Sequence, residues 1–156
     1  MVDVTEQREL SFPDFDAVLE EVDRLASGEV RTVGNHTFGE ILNHLAISHD
    51  VSAGRLQAPS PPLLVKLLMP LIRRTVIHAK PLKPGFKLPA SGESFFWPAG
   101  DFETSSSVAR FKESVEYYRT NGPLAKHPFF GKLTSAECDQ LQCRHAALHL
   151  GFVHPA

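Results

Sequence analysis

Two histidines near the carboxyl end of the chain have a spacing that suits metal binding. In the stretch R-H-A-A-L-H-L, His145 and His149 are four residues apart, and in a helix this spacing directs both imidazoles to one side. Histidines at i and i+4 are a recurring zinc-ligand spacing. A pair of core or rim histidines bonded to carbonyls or to water would give the same pattern. The spacing alone leaves both interpretations open.

The pair does not belong to the protease motif H-E-x-x-H, because Ala146 stands where that motif has its glutamate base. A metalloprotease is therefore excluded. A catalytic zinc site usually takes three protein ligands. The candidates for the third are the other histidines of the chain: His36, His44, His49, His78, His127 and His154. On the second predicted helix, His49 lies near the middle of the strongest apolar face and His44 at its edge, so the pattern alone narrowly favours His49.

Five segments have the apolar spacing of amphipathic helices. They are residues 14–27, 37–53, 61–78, 105–120 and 135–150. Capping boxes open two of them, Thr37 with Glu40 and Thr134 with Glu137. Pro70 is expected to kink or split the third helix. Because no hairpin pattern is convincing, the sequence predicts one all-α domain, residues 1–156, built as a helical bundle.

A long segment rich in proline and glycine, residues 80–103, separates the third helix from the fourth. It is expected to be irregular, with its aromatic side chains packed along the body of the domain. The wider region from Val51 to Gly92 has seven basic residues and no acidic residue. A basic region of this kind can serve an anionic ligand, a membrane surface or a partner, and it can equally be a solvated face.

The bulk composition excludes several classes of protein. A formal charge of −2 gives no indication of nucleic-acid binding. No apolar run reaches the roughly 18 residues of a transmembrane helix, and the first residues are too polar for a signal peptide. Cys138 and Cys143 fall on diverging sides of one predicted helix, too far apart for a disulfide. Two free thiols favour a reducing compartment, the cytoplasm.

The third predicted helix is both apolar and basic, with the sequence L-L-V-K-L-L-M-P-L-I-R-R. Such a helix would suit a membrane interface. An apolar helix with a proline inside is more typical of a bundle core, so membrane binding is not expected. The same apolar surface is consistent with a homodimer.

Three stretches of the chain resemble the DinB/YfiT-like superfamily, and in particular a bacterial branch known only as a domain of unknown function. They are T-F-G-E-I-L-N-H-L-A, H-P-F-F-G-K-L-T-S-A-E and R-H-A-A-L-H-L-G-F. The resemblance implies a four-helix bundle whose metal triad is His44, His145 and His149, with His49 as the second choice for the first ligand. Relatives often have another histidine where this chain has Leu148 and a tryptophan where it has Cys138, which indicates an altered pocket.

The resemblance also implies a type of chemistry, because characterised relatives include thiol-dependent S-transferases and isomerases. It implies a divalent metal, Zn²⁺ or Ni²⁺, that binds a low-molecular-weight thiol beside a small-molecule substrate. Catalytic residues stay unassigned. On charge alone, Lys80, Lys83 and Lys87 are candidates to hold a carboxylated thiol or substrate.

Two other functions stay open at this point. A metallohydrolase would use the same site but lacks an obvious general base, since Glu40 serves the capping box. The second is a function without catalysis, either as a metal- or ligand-binding bundle or as a peripheral membrane protein. Asp50 could orient a ligand histidine or simply face solvent.

Overall fold

The computed structural model describes residues 6–78, 82–85 and 87–156. These residues form a mostly helical domain with short strands. The elements in chain order are α1 (Phe15–Ala26), β1 (Val30–Thr32), α2 (Phe38–Ser52), α3 (Leu63–His78), α4 (Ala90–Phe96), α5 (Thr104–Asn121), β2 (Lys126–His127), β3 (Gly131–Lys132), α6 (Ser135–Leu150) and β4 (Val153–Pro155).

Four of the long helices surround the main core. Helix α2 contacts both α5 and α6, and α1 contacts the same two helices. Leu42, Leu45, Phe111 and Tyr118 are fully buried between them. The prediction of a mostly helical protein is therefore confirmed.

Both predicted capping boxes are present. The hydroxyl of Thr37 accepts a hydrogen bond from the backbone N–H of Glu40, and the Glu40 carboxylate accepts one from the backbone N–H of Thr37. Thr134 and Glu137 make the same reciprocal pair at the start of α6. Each box satisfies backbone donors that have no partner inside the helix, and thereby fixes where the two histidine-bearing helices begin.

Three sequence expectations need correction. The third helix was expected to kink or split at Pro70, and the split does not occur, because α3 continues across that residue. The segment 80–103, expected to be irregular, contains the short helix α4. Strands were not predicted, yet β1 pairs with β4 and β2 pairs with β3, both antiparallel. These strands are two or three residues long, too short to produce an alternating pattern.

The apolar helix α3 does not lie in the core. Ile77 is its one buried residue, while several of its leucines are exposed. The expectation that this helix belongs to a bundle core is therefore wrong. In the described part of the chain no helix is both long and apolar enough to cross a membrane. Cys138 and Cys143 are buried and unbridged, as expected from their spacing.

Candidate metal centre

Three histidine side chains meet between α2 and α6. One ring nitrogen from each of His44, His145 and His149 lies within 4.8 Å of the other two. Nε2 of His44 is 3.1 Å from Nε2 of His145. Two nitrogens bonded to one tetrahedral zinc ion, at about 2.0–2.1 Å each, are roughly 3.3 Å apart. The pair His44 and His145 therefore has about the spacing that a shared metal ion requires, and the three donor atoms together could hold one ion.

The ring of His44 is held in one orientation and one tautomer. Its Nδ1 lies 3.0 Å from the backbone carbonyl of Phe96, and since a carbonyl only accepts, Nδ1 carries the proton. The lone pair of the neutral ring is then on Nε2, which faces the other two histidines. Trp97 stacks on the same ring at 3.9 Å between centroids and 6° between planes. A hydrogen bond from the ring nitrogen that does not bind the metal, like the one from Nδ1 to Phe96, is the usual way in which proteins orient a metal-binding histidine.

All three rings are neutral at ordinary pH. Burial lowers the pKa of His145 to about 4. Burial and the neighbouring His145 together hold the pKa of His44 and of His149 well below the usual value. Metal ions bind the neutral imidazole, so protons do not compete for these nitrogens at pH 7.

The cluster forms one wall of a cavity of about 620 Å³. Helix α2 contributes His44, Ser48 and Ser52 at four-residue intervals, which places all three on one side of that helix. Met69, Ile72 and Val76 of α3 line the cavity as well. A cavity of this size, with apolar walls and a few polar groups, is typical of a small-molecule site.

The structure separates the two candidates on α2. His49 lies on the other side of the helix, where its Nδ1 is 3.0 Å from the hydroxyl of Ser114 and its ring packs edge-on against Phe15. It is not part of the histidine cluster, so the geometry does not support the choice that the helical pattern narrowly favoured. Twelve of the fifteen residues of α2 are buried, and an apolar face therefore could not single out one histidine.

The other residues named from the sequence have mixed outcomes. Lys83 and Lys87 line the cavity, and Lys80 lies outside the described residues. Glu40 caps α2, as expected. Asp50 neither faces solvent nor contacts the histidine cluster, since it is buried and forms an ion pair with Arg110.

Sequence reasoning missed Trp97 as a partner of His44 and missed a polar group at Ser52. The Ser52 hydroxyl accepts a hydrogen bond of 2.7 Å from the Gln142 amide and lies 3.2 Å from Nε2 of His127. Four-residue spacing from His44 through Ser48 to Ser52 was the available signal for Ser52. For Trp97 no spacing in the sequence indicates the contact.

The Ser52–His127 pair is not a nucleophile with its base. Nδ1 of His127 accepts hydrogen bonds from the backbone N–H groups of Phe129 and Phe130, at 3.1 and 3.3 Å. The neutral ring therefore carries its proton on Nε2 and donates it to Ser52, and burial lowers the pKa of His127 to about 4. A base must accept the serine proton, so this pair connects α2 to the β2–β3 turn instead.

Fold and site together define a mostly helical protein with three clustered histidines that could hold a metal ion. The family model described as a protein of unknown function, DUF1569, matches residues 4–156. The chain belongs to that family. No curated protein and no solved structure gives a significant match to it.

Proposed function

We propose that this protein is a metal-dependent enzyme in which His44, His145 and His149 bind one divalent ion, with S-transfer or isomerisation as its reaction. The observation that carries the proposal is the convergence of three neutral histidine nitrogens within 4.8 Å at the wall of a cavity. Three protein ligands leave a coordination position for a substrate atom, as catalytic sites require.

The helix arrangement supports the resemblance to the DinB/YfiT-like superfamily. From the contacts among α1, α2, α5 and α6, we infer that these helices form the four-helix bundle of that superfamily. The second helix of the chain supplies one histidine and the last helix supplies the H-x-x-x-H pair, in the order that the resemblance implies. Zinc or nickel is the proposed metal, because both accept imidazole ligands.

The proposed chemistry is substitution at an electrophilic carbon by a thiol. The thiol proton goes to solvent, the thiolate sulfur forms a bond to the carbon, and the leaving group departs with the electron pair of the bond that breaks. When bound, the ion would lower the pKa of a thiol that occupies the open position. The protein itself orients His44 through Phe96 and Trp97, and the walls of the cavity around the cluster are mostly apolar. Lys83 and Lys87 stand in the cavity wall, where their charge would attract a carboxylate on the thiol or on its substrate.

A metallohydrolase is less well supported by the same site. Activation of water needs a general base, and among the described residues that line the cavity Glu93 is the one carboxylate. Glu93 lies in the first turn of α4 and is exposed. The remaining alternative is a binding protein without catalysis. It would use the same metal site, and an activity assay distinguishes it from an enzyme.

Metal content tests the first half of the proposal. Untagged protein, analysed by mass spectrometry after incubation with Zn²⁺ or Ni²⁺, should contain about one equivalent. The variant His149→Ala should contain little metal. His78→Ala is the matched control, because His78 is half-exposed and lies outside the cluster, and it should retain the wild-type content. Wild-type protein that stays metal-free would overturn the metal site.

Activity tests the second half. The metal-loaded protein should accelerate the reaction of a thiol such as 3-mercaptopropionate with a reactive alkyl halide, and His149→Ala should not. If the protein binds one equivalent of metal but does not accelerate the reaction of any thiol with any electrophile, the metal site stands and the transferase assignment fails.

A further inference from the structure

Helix α3 has apolar side chains on two opposite faces. Its inner face, with Met69, Ile72 and Val76, closes one side of the cavity. Its outer face presents Leu63, Leu67 and Leu71, which are 73%, 63% and 76% exposed. A surface helix normally has polar residues on its outer side, so the outer leucines are not explained by the packing of the domain.

The exposed leucines form one continuous stripe. Leu63, Leu67 and Leu71 are four residues apart, which aligns them along the helix, and Leu64 and Leu68 lie beside them and are also exposed. Single exposed apolar side chains are ordinary, but a contiguous group of this size marks an interaction surface. The question is which partner covers it.

The charges around the stripe favour an anionic partner. Lys66 and Arg74 are exposed on the same helix, and in the described part of the chain no carboxylate forms an ion pair with either of them. Both lie in the stretch from Val51 to Gly92, which has no acidic residue. A second copy of α3 would bring like charges together, whereas an anionic lipid surface would neutralise them.

We propose that the outer face of α3 docks on an anionic membrane surface. The helix would lie in the plane of the interface, with its leucines among the acyl chains and its lysine and arginine side chains at the headgroups. Because α3 lies outside the core, the reason for not expecting membrane binding no longer holds. The inner face of the same helix would then place the cavity directly beneath the lipid surface.

The first test is flotation of the purified, untagged protein with lipid vesicles. Binding to phosphatidylcholine vesicles that contain phosphatidylglycerol should be about tenfold tighter than binding to phosphatidylcholine alone. It should weaken as the salt concentration rises above about 0.1 M, where surface charges are screened. Equal binding to both vesicles, or binding to neither, would overturn the proposal.

Paired substitutions then locate the surface. Leu67→Ser with Leu71→Ser should weaken binding about tenfold or more, because two apolar side chains no longer insert. The matched control is Leu56→Ser with Leu124→Ser, which removes two exposed leucines outside α3 and should leave binding unchanged. Arg74→Gln should weaken binding more than Lys126→Gln does. Circular dichroism checks that each variant is folded.

Two further results show whether a membrane or a second copy of the chain covers α3, and whether membrane binding is independent of the metal site. If light scattering shows a dimer that Leu67→Ser with Leu71→Ser converts to a monomer, and vesicles are not bound, a second copy covers the helix and the proposal fails. His149→Ala, which disturbs the metal site alone, should bind vesicles as the wild type does. Loss of vesicle binding in that variant would also contradict the proposal.

Discussion

Nε2 of His44 lies 3.1 Å from Nε2 of His145, although the two residues are 101 positions apart in the chain. This contact joins α2 to α6. Because Nδ1 of His44 donates a hydrogen bond to the Phe96 carbonyl, Nε2 of the same ring has a free lone pair that faces His145. The lone pair either accepts a hydrogen bond from Nε2–H of His145 or binds an ion that both rings share. An ion shared by these two rings would need little rearrangement of them, which lowers the cost of binding.

Zinc ions should raise the melting temperature of the metal-free protein. A ligand that binds only the folded state at 100 times its Kd adds about 2.7 kcal/mol, which for a domain of this size is roughly 5–10 °C. Differential scanning calorimetry measures the shift. His145→Ala should abolish it and His78→Ala should keep it. An unchanged shift in His145→Ala would contradict the assignment of that ligand.

Trp97→Leu should weaken metal affinity about tenfold, because the stacked indole helps to hold the His44 ring in its binding orientation. Phe95→Leu is the control, since Phe95 lies in α4 and packs against Phe96 but makes no ring contact with His44. Competition with a chelating dye gives both affinities. Equal affinities for the two variants would mean that stacking does not orient the ligand.

Replacing Lys83 and Lys87 together by Gln should raise the Kd of 3-mercaptopropionate roughly three- to fivefold, the effect expected of exposed charges. The Kd of the neutral thiol 2-mercaptoethanol should not change, because it carries no carboxylate. Lys66→Gln, which removes a cation outside the cavity lining, serves as control. Isothermal titration calorimetry on zinc-loaded protein measures the Kd of both thiols for each variant. Equal losses for both thiols would show that the lysines act through structure and not through charge.

Stability of the metal-free protein should fall as the pH is lowered from about 6.5 to about 4. Burial lowers the pKa of His49 to about 3 and of His127 to about 4. Below the ordinary value of about 6.5 the unfolded chain takes up protons that the folded chain does not, so each residue costs about 2 kcal/mol at pH 5. Above pH 6.5 this cost is absent.

The variant His49→Asn tests the pH effect. An asparagine amide can still donate to the Ser114 hydroxyl, as Nδ1 of His49 does, but it does not titrate. Urea unfolding at pH 7 and at pH 5 should therefore show a smaller loss between the two pH values than in the wild type. The same loss in both proteins would assign the acid sensitivity to other groups.

Ser52→Ala should destabilise the fold by about 2 kcal/mol, because the His127 N–H and the Gln142 amide would lose a shared buried acceptor. Ser94→Ala removes an exposed hydroxyl and should change stability by less than about 0.5 kcal/mol. Unfolding in urea compares them. Equal effects would mean that the Ser52 network is weak.

Local signals in the sequence were sufficient for the helices that carry the site. The apolar spacing and the capping boxes predicted α2 and α6 closely, since a box is a contact between residues three positions apart. The pairing of His145 with His149 has the same origin, because helix geometry alone brings residues four apart to one side. The choice of His44 came from the resemblance around N-H-L-A and not from the helical pattern.

Contacts between distant segments were decided by the tertiary structure. No local pattern indicates that Phe96 and Trp97 would orient His44, that β1 would pair with β4, or that the apolar helix α3 would lie outside the core. Each depends on which surfaces meet once the helices have packed, and hydrophobic burial is non-directional. The sequence by itself determined the long helices and the histidine pair, while the folded chain decided which third histidine joins them and which leucines stay exposed.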